Sequence, residues 1–302
     1  MDQVPIYLLL SIPLVGAFAM FSLGVVTIYQ ASRVLNLAHG AMAMVPVYVL
    51  FELSKHGVPL LLALPIGIAS GGVLGVVVER VFIRTLRGQS ATAQTVGTVA
   101  ALGVLVAFSA KIFGTTPRVA VNVFPEGGLH IGASLLRYGH IGLTVVAVIA
   151  SAGFFALFRY TDLGLAMRAA AQNRRAAALM GVDADLTTAA AWAIGGTLAG
   201  LGGILLAPVT TLHPYSLTLI VLPAFVAALM GGLESFSGAM VGAAIVGLAQ
   251  GMVPAIGLVP GIGQFASQVG AAQVVVGLVA FTVMYLRGER FSGSDVRAEA
   301  AA

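Results

Sequence analysis

Apolar runs long enough to cross a bilayer recur along almost the whole of this chain, and they leave few folds open to it. Residues 6–29, 37–53, 60–78, 93–113, 139–158 and 186–208 are such runs. Each approaches the ~20 residues that a helix needs to cross ~30 Å of hydrocarbon. Further runs at 217–230, 239–254 and 269–286 complete the series. The first two of these are short, and Pro223 interrupts the first, so broken or re-entrant helices are expected there. Only 9% of the residues are charged, against about a quarter in an ordinary soluble protein. A water-exposed surface could not be covered with so few. The chain reads as an all-α polytopic membrane protein of about nine transmembrane helices, with one membrane domain at 1–290 and a polar, mobile tail at 291–302.

The charges orient it. Arg33 follows the first run, Arg80, Arg84 and Arg87 the third, Arg159, Arg168, Arg174 and Arg175 the fifth, and Arg287, Arg290 and Arg297 the last. Only Lys55, Lys111, Arg118 and Arg137 fall on the opposite side. Basic residues accumulate on the cytoplasmic face of membrane proteins, so the N-terminus is expected outside and the C-terminus in the cytoplasm. The pI near 9.7 then reflects membrane topology and not nucleic-acid binding. Residues 1–5 contain no Lys or Arg, which argues against a cleaved signal peptide.

The chemistry of most enzymes is missing. The sequence has no cysteine and no Gly-Lys pair, hence no thiolate site and no phosphate-binding Walker loop. His39, His56, His130, His140 and His213 are scattered, with no metal-ligand spacing. No Asp or Glu falls in the middle of a run; Glu52, Glu79 and Glu234 lie at ends. An ion-coupled carrier needs buried ionisable groups, so that alternative, along with a non-transporting scaffold and an intramembrane enzyme, ranks below a transporter driven by a partner. Glycines at four-residue spacing (Gly67, Gly71, Gly75; Gly196, Gly200; Gly238, Gly242; Gly247, Gly251) predict close helix packing in lipid. Between the fourth and fifth runs, residues 114–138 form the longest external segment. Its alternating Val119, Val121 and Val123 before Glu126–Gly128 suggest a small hairpin turning there, read as a cap over loop backbone or as a solute contact.

Residues 162–182 stand apart. They are alanine-rich and arginine-bearing, too polar to span and too helix-prone to be a passive loop. Asp162 is placed to start the helix, Gly181 to stop it in a left-handed turn, and Asp183 or Asp185 to cap the next span. Arg168 and Arg175, two turns apart, are expected to share a face, with Ala176, Ala177 and Leu179 as contact surface. Docking of a partner is one reading; binding of anionic headgroups is the other. The apolar pattern also breaks at 33–39, so Asn36 and His39 either border a solute path through a discontinuous helix or cap and hydrogen-bond locally. Glu234, in the polar stretch 231–238, lines an inner gate, contacts a partner, or is a solvated loop carboxylate.

Three stretches resemble the integral-membrane permease subunit of the branched-chain amino-acid class of bacterial ABC importers. They are residues 23–40, with Leu-Asn-Leu-Ala-His-Gly at 35–40; residues 163–182, resuming at 195–205 and ending at Pro208; and residues 227–243. The resemblance implies a protein of the bacterial cytoplasmic membrane that pairs with a second homologous permease. It implies two cytoplasmic ATPase subunits that bind the ATP and Mg, with no cofactor in this chain, and an external solute-binding protein. Under it, residues 162–182 form the coupling segment, with Arg168, Asn173, Arg174, Arg175, Ala176, Ala177, Leu179 and Gly181 at the ATPase contact. Asn36, His39 and Glu234 fall beside the translocation path. The alanines before Gly181 match the family's Glu-Ala-Ala loop, although its glutamate is absent here. Branched-chain or other hydrophobic amino acids are the first solutes implied; amides, urea, short peptides and aromatic acids stay open.

Overall fold

The computed structural model describes residues 4–131, 134–209, 212–219, 221–257, 263–266, 268, 270–283 and 285. In hydrocarbon every backbone N–H and C=O must be satisfied within the protein, and long helices result. They are α1 (Val4–Ser32), α2 (His39–Lys55), α3 (Leu60–Val78) and α4 (Ala91–Phe113). A two-stranded sheet, β1 (Gly128–Ile131) and β2 (Ser134–Arg137), leads into α5 (Tyr138–Tyr160). Two short helices, α6 (Asp162–Gln172) and α7 (Arg174–Leu179), precede α8 (Ala184–Leu206). The rest comprises α9 (Pro214–Leu219), α10 (Val221–Met230), α11 (Phe236–Gly251), α12 (Val253–Ile256), α13 (Gly263–Ala266) and α14 (Ala271–Val283). A π-helical turn, Glu79–Ile83, and a 3₁₀ turn, Arg84–Leu86, prolong α3.

Five helices are long and apolar enough to cross a membrane: α1, α3 with its extension, α4, α5 and α8. The other four expected spans fall on α2, α9–α10, α11 and α14, of which α2 has 17 residues, α10 has 10 and α11 has 16. The tail at 291–302 lies outside the described residues.

Helices α1 and α8 form the centre. About two-thirds of their apolar windows (67%) are buried, against 22% in α4 and α5. Around α1 pack α5, α8, α10 and α11; around α8 pack α1, α2 and α3. The outer faces of α3, α4 and α5 expose Val73, Val96, Phe108, Val148 and Ile149. Such a belt would be a liability in water and is the expected lipid-facing surface. The glycine ladders lie at the inner crossings. A Cβ on Gly71 would meet the Gly196 carbonyl, and one on Gly75 the Trp192 carbonyl. On the other side of the bundle a Cβ on Gly242 would meet the Ala227 carbonyl. No hydrophobic force pulls helices together in lipid, so backbone approach of this kind supplies the packing.

The external segment departs from expectation. Gly128 already belongs to β1 and pairs with Arg137, so the hairpin does not turn at 126–128. Residues 119–123 form no strand, because Arg118 holds the chain elsewhere. Its backbone pairs with Leu212, and its guanidinium binds Glu52 at 3.0 Å and the Phe113 carbonyl at 2.7 Å. This end of the bundle therefore carries the ends of α2 and α4, the hairpin and the start of α5. The opposite end carries residues 30–36, the extension of α3, and α6–α7.

Candidate coupling site

The segment 162–182 is two helices and not one. Asn173 leaves the helical region (φ −153°, ψ 99°), and its Oδ1 accepts from the Ala176 N–H at 2.9 Å, capping α7. Thr161, one residue before the expected Asp162, caps α6 by accepting from the Gly164 N–H at 3.2 Å. Gly181 does adopt the left-handed turn (φ 82°). Asp183 accepts from the N–H groups of Asp185 and Leu186 at 2.8 and 3.0 Å, capping α8.

The break separates the arginines that were expected on one face. Arg168 is partly buried and turns back to the end of α5, donating to the Phe158 carbonyl with its guanidinium over the Phe158 ring, 5.3 Å from the centroid. The Phe158 ring in turn packs on Phe236 at the start of α11, centroids 4.3 Å apart. Arg174 binds Asp185 at 2.8 Å. Ala177 is only 5% exposed and faces inward, where its small side chain lets α7 lie against the bundle. Arg175 and Ala176 are exposed. Leu179 and Met180 are 85% and 84% exposed at the tip.

Asp185 is the hub of this end. Besides Arg174 it binds Arg87 at 2.6 Å and Arg84 at 3.1 Å, both from the extension of α3. Arg87 also binds Glu79 at 2.9 Å, whose side chain is 1% exposed. Two carboxylates thus hold three guanidinium groups, two from the extension of α3 and one from α7. A second clasp lies alongside. Arg33 binds Glu234 and also donates to the Ala171 carbonyl at 3.4 Å, while Gln30 donates to the Glu234 carbonyl. Arg33 (φ 56°) and Leu233 (φ 60°) are both left-handed, which is uncommon away from glycine. Such conformations persist only where neighbours over-determine them, and the Arg33–Glu234 pair joins the two turns.

Asn36 and His39 lie inside the chain, 1% and 0% exposed. Asn36 Oδ1 accepts from the Ala38 N–H at 3.1 Å, and its Nδ2 lies 3.2 Å from Met42 Sδ. His39 packs edge-on to Phe21 and covers Gly24, where a Cβ would come within 2.9 Å of the imidazole. The break between α1 and α2 is satisfied from α4. Thr98, fully buried, accepts from the Leu37 N–H at 3.0 Å, and its hydroxyl lies 3.1 Å from the Leu35 carbonyl.

Comparison with known proteins places this arrangement in a family. The family model described as the branched-chain amino acid transport system permease component matches residues 7–286. This chain belongs to that family. A probable branched-chain amino acid transport permease protein LivH from Methanocaldococcus jannaschii is 30% identical over 243 residues, covering 78% of this chain and 76% of the relative. The high-affinity branched-chain amino acid transport system permease protein LivH of Escherichia coli K12 is 27% identical over 257 residues, covering 78% and 82%. PsaBC from Streptococcus pneumoniae in complex with Fab aligns over 94% of this chain and 92% of its own, with 14% identity and a TM-score of 0.49, a likeness too distant to carry a functional inference.

The chain is accordingly a multi-pass inner-membrane permease component, a part of a transport system and not an enzyme. Within the permease, the three-arginine hub on Asp185, the Phe158–Phe236 contact and the Thr98 bridge escape a reading by motif. The sequence carries one signal for the first: Arg84 and Arg87 close a span that ends in Glu79, and Asp185 opens another. Nothing local to Thr98 points to residues 35–37, more than 60 positions earlier.

Proposed function

We propose that this permease forms half of a translocation path for branched-chain or other hydrophobic amino acids, and that separate cytoplasmic ATPase subunits drive it by docking on α7. The observation that carries the reading is the tip of α7. Leu179 and Met180 stand almost fully exposed at the tip of a helix pair that Arg168 of α6 fastens to α5 and Arg174 of α7 fastens to α8. Apolar side chains held out from a rigid mount suit insertion into a cleft of another protein, and Arg175 beside them offers a charge for an acidic rim. Movement of the tip then passes through Arg174–Asp185 to α8 and α3, and through Arg168, Phe158 and Phe236 to α5 and α11.

In this reading the α6–α7 end is cytoplasmic. It holds Arg33, Arg80, Arg84, Arg87, Arg159, Arg168, Arg174 and Arg175, against Lys55, Lys111, Arg118 and Arg137 at the other, as the positive-inside bias requires. Nine spans with an external N-terminus result, with α9–α10 acting as one broken span. A second permease completes the path, and an external binding protein selects the solute and sets the direction as import. Co-purification of the full-length chain with the ATPases encoded beside it tests the docking surface. The native chain should retain both ATPases, and Arg175→Glu/Leu179→Asp should lose them without loss of folded permease. A native chain that purifies alone and moves solute down an ion gradient would sink the ABC reading.

A further inference from the structure

At the end of the bundle opposite α7, a cavity of about 810 Å³ opens among α1, α5, α8, α10, α11 and α14 beneath the segment 122–127. We propose that it is a binding site within this single chain for a zwitterionic amino acid with an apolar side chain. The assignment rests on the permease reading above and adds to it a solute contact that no second subunit completes.

Three features of the lining carry it. The cavity wall is apolar, with Phe18, Leu206 and Leu222 among its residues. Its mouth carries one charge of each sign, Glu126 and Arg137. The backbone brings these two together: Gly128 pairs with Arg137, and the Tyr138 N–H donates to the Gly127 carbonyl at 3.0 Å. Neither charge has an ion-pair partner among the described residues. Two further lining residues, His140 and Gln250, each carry a buried side-chain atom, Nδ1 and Oε1, without a hydrogen-bond partner among the described residues. Buried polar atoms are normally satisfied, so a polar ligand in the cavity would gain partners if the His140 or Gln250 side chain turned toward it.

The chemistry required is an ammonium, a carboxylate and a hydrocarbon side chain. Arg137 and the first turn of α5, where Gly139 and His140 line the cavity, favour the carboxylate, since the start of a helix presents free N–H groups and positive potential. Glu126 and the Gln250 carbonyl oxygen receive the ammonium. The apolar wall takes the side chain. The volume falls in the range of small-molecule sites, about 300–1,000 Å³. The roof is placed by packing: the Phe124 ring lies over Gly142 of α5, where a Cβ would collide with it. This fixes the loop that carries Glu126.

The test is equilibrium binding to the full-length permease in nanodiscs, without ATPases or binding protein, using L-leucine, L-valine and L-phenylalanine. Saturable binding of at least one is expected, weakened tenfold or more by Glu126→Gln and by Arg137→Gln. Isocaproate, which lacks the ammonium, should respond to Arg137→Gln alone, and isoamylamine, which lacks the carboxylate, to Glu126→Gln alone. Leu222→Trp, which fills the cavity from a half-exposed position on α10, should abolish binding with the folded fraction unchanged. Three outcomes would overturn the site: no binding of any of the three amino acids, equal binding to the native chain and the Glu126→Gln/Arg137→Gln variant, or displacement of the signal by phosphatidylethanolamine. The same variants are co-purified in parallel with the ATPases encoded beside the chain and assayed for ATPase retention. Retained ATPases with binding indifferent to every variant would remove this site and leave the permease reading standing. Failure to retain them would count against that reading whatever leucine does.

Discussion

A graded series of glycine-to-alanine substitutions isolates the packing that holds the bundle together. All of the positions are helical, so propensity alone would favour alanine by about 1 kcal/mol at each. Their surroundings differ. Gly103 in α4 and Gly153 in α5 have nothing within 4 Å of an added Cβ. At Gly200 the Cβ would lie 2.9 Å from Pro46 Cγ, against about 3.5–4.0 Å for an unstrained carbon contact. At Gly75 it would overlap the Trp192 carbonyl, a backbone group that cannot rotate away, so α3 and α8 must separate. Overpacking costs about 1–3 kcal/mol. Gly103→Ala and Gly153→Ala should therefore be neutral or stabilising by up to about 1 kcal/mol. Gly200→Ala should lie near zero, as the two effects offset. Gly75→Ala should destabilise by about 2 kcal/mol or more, the upper part of the overpacking range. Thermal unfolding of the detergent-solubilised permease, read as the monodisperse fraction after heating, ranks the four. If Gly75→Ala ranks with Gly103→Ala, the α3–α8 contact is not the close backbone approach described, and glycine spacing does not report helix proximity here.

Two further substitutions address polar groups. Thr98→Val keeps the shape but leaves the Leu37 N–H without its acceptor. At about 1–3 kcal/mol per buried unsatisfied group, it should lower thermal stability well beyond Thr98→Ser, which keeps the hydroxyl; equal losses would refute the bridge. Asp185→Asn frees Arg84, Arg87 and Arg174 from their shared carboxylate. Partly exposed pairs are worth at most about 1 kcal/mol each, so stability should fall only modestly. Solute-stimulated ATP hydrolysis by the reconstituted complex should fall far more, and an unchanged stimulation ratio would remove Asp185 from the coupling route.

The spans were the legible part, and for a physical reason. A helix crossing lipid must be apolar along its whole length, so its sequence announces it without reference to neighbours. Thus 60–78 is α3, and α4, α5 and α8 lie within two residues of the expected runs at either end. Local stops and caps were equally readable, since Gly181 and Asp183 act on adjacent backbone. What escaped was set by distant partners. Alanine propensity runs straight through 163–179 and predicts one helix, but Arg168 is taken by Phe158 and Asn173 turns to cap α7. The valine alternation at 119–123 predicts a strand, yet Arg118 pairs with Leu212, nearly a hundred residues on. Glu126 and Arg137 read in the sequence only as a turn residue and an external charge, because only the hairpin register brings them to one cavity mouth.

The central helix ties the two ends of the permease together. α8 begins at the Asp185 hub and ends at Leu205 and Leu206, which line the opposite cavity. Its 23 residues span about 34 Å at 1.5 Å per residue, a full crossing of the hydrocarbon. Along that length it meets backbone at close range on two sides. Gly195 opposes Gly24 of α1, and Gly196 opposes Gly71 of α3. Helices in contact through backbone have little freedom to slide by side-chain rotation, so under the proposed docking a shift of α7 carried by Arg174 would displace α8 as a unit with its neighbours. The same rigidity works in reverse. If a solute against Leu206 favours one position of α8, it favours one position of the α7 tip by the same free energy, because coupling between two sites is reciprocal. The one buried carboxylate among the described residues, Glu79, is held by Arg87 in the hub itself, so its charge is already neutralised at the end of the bundle that carries α7.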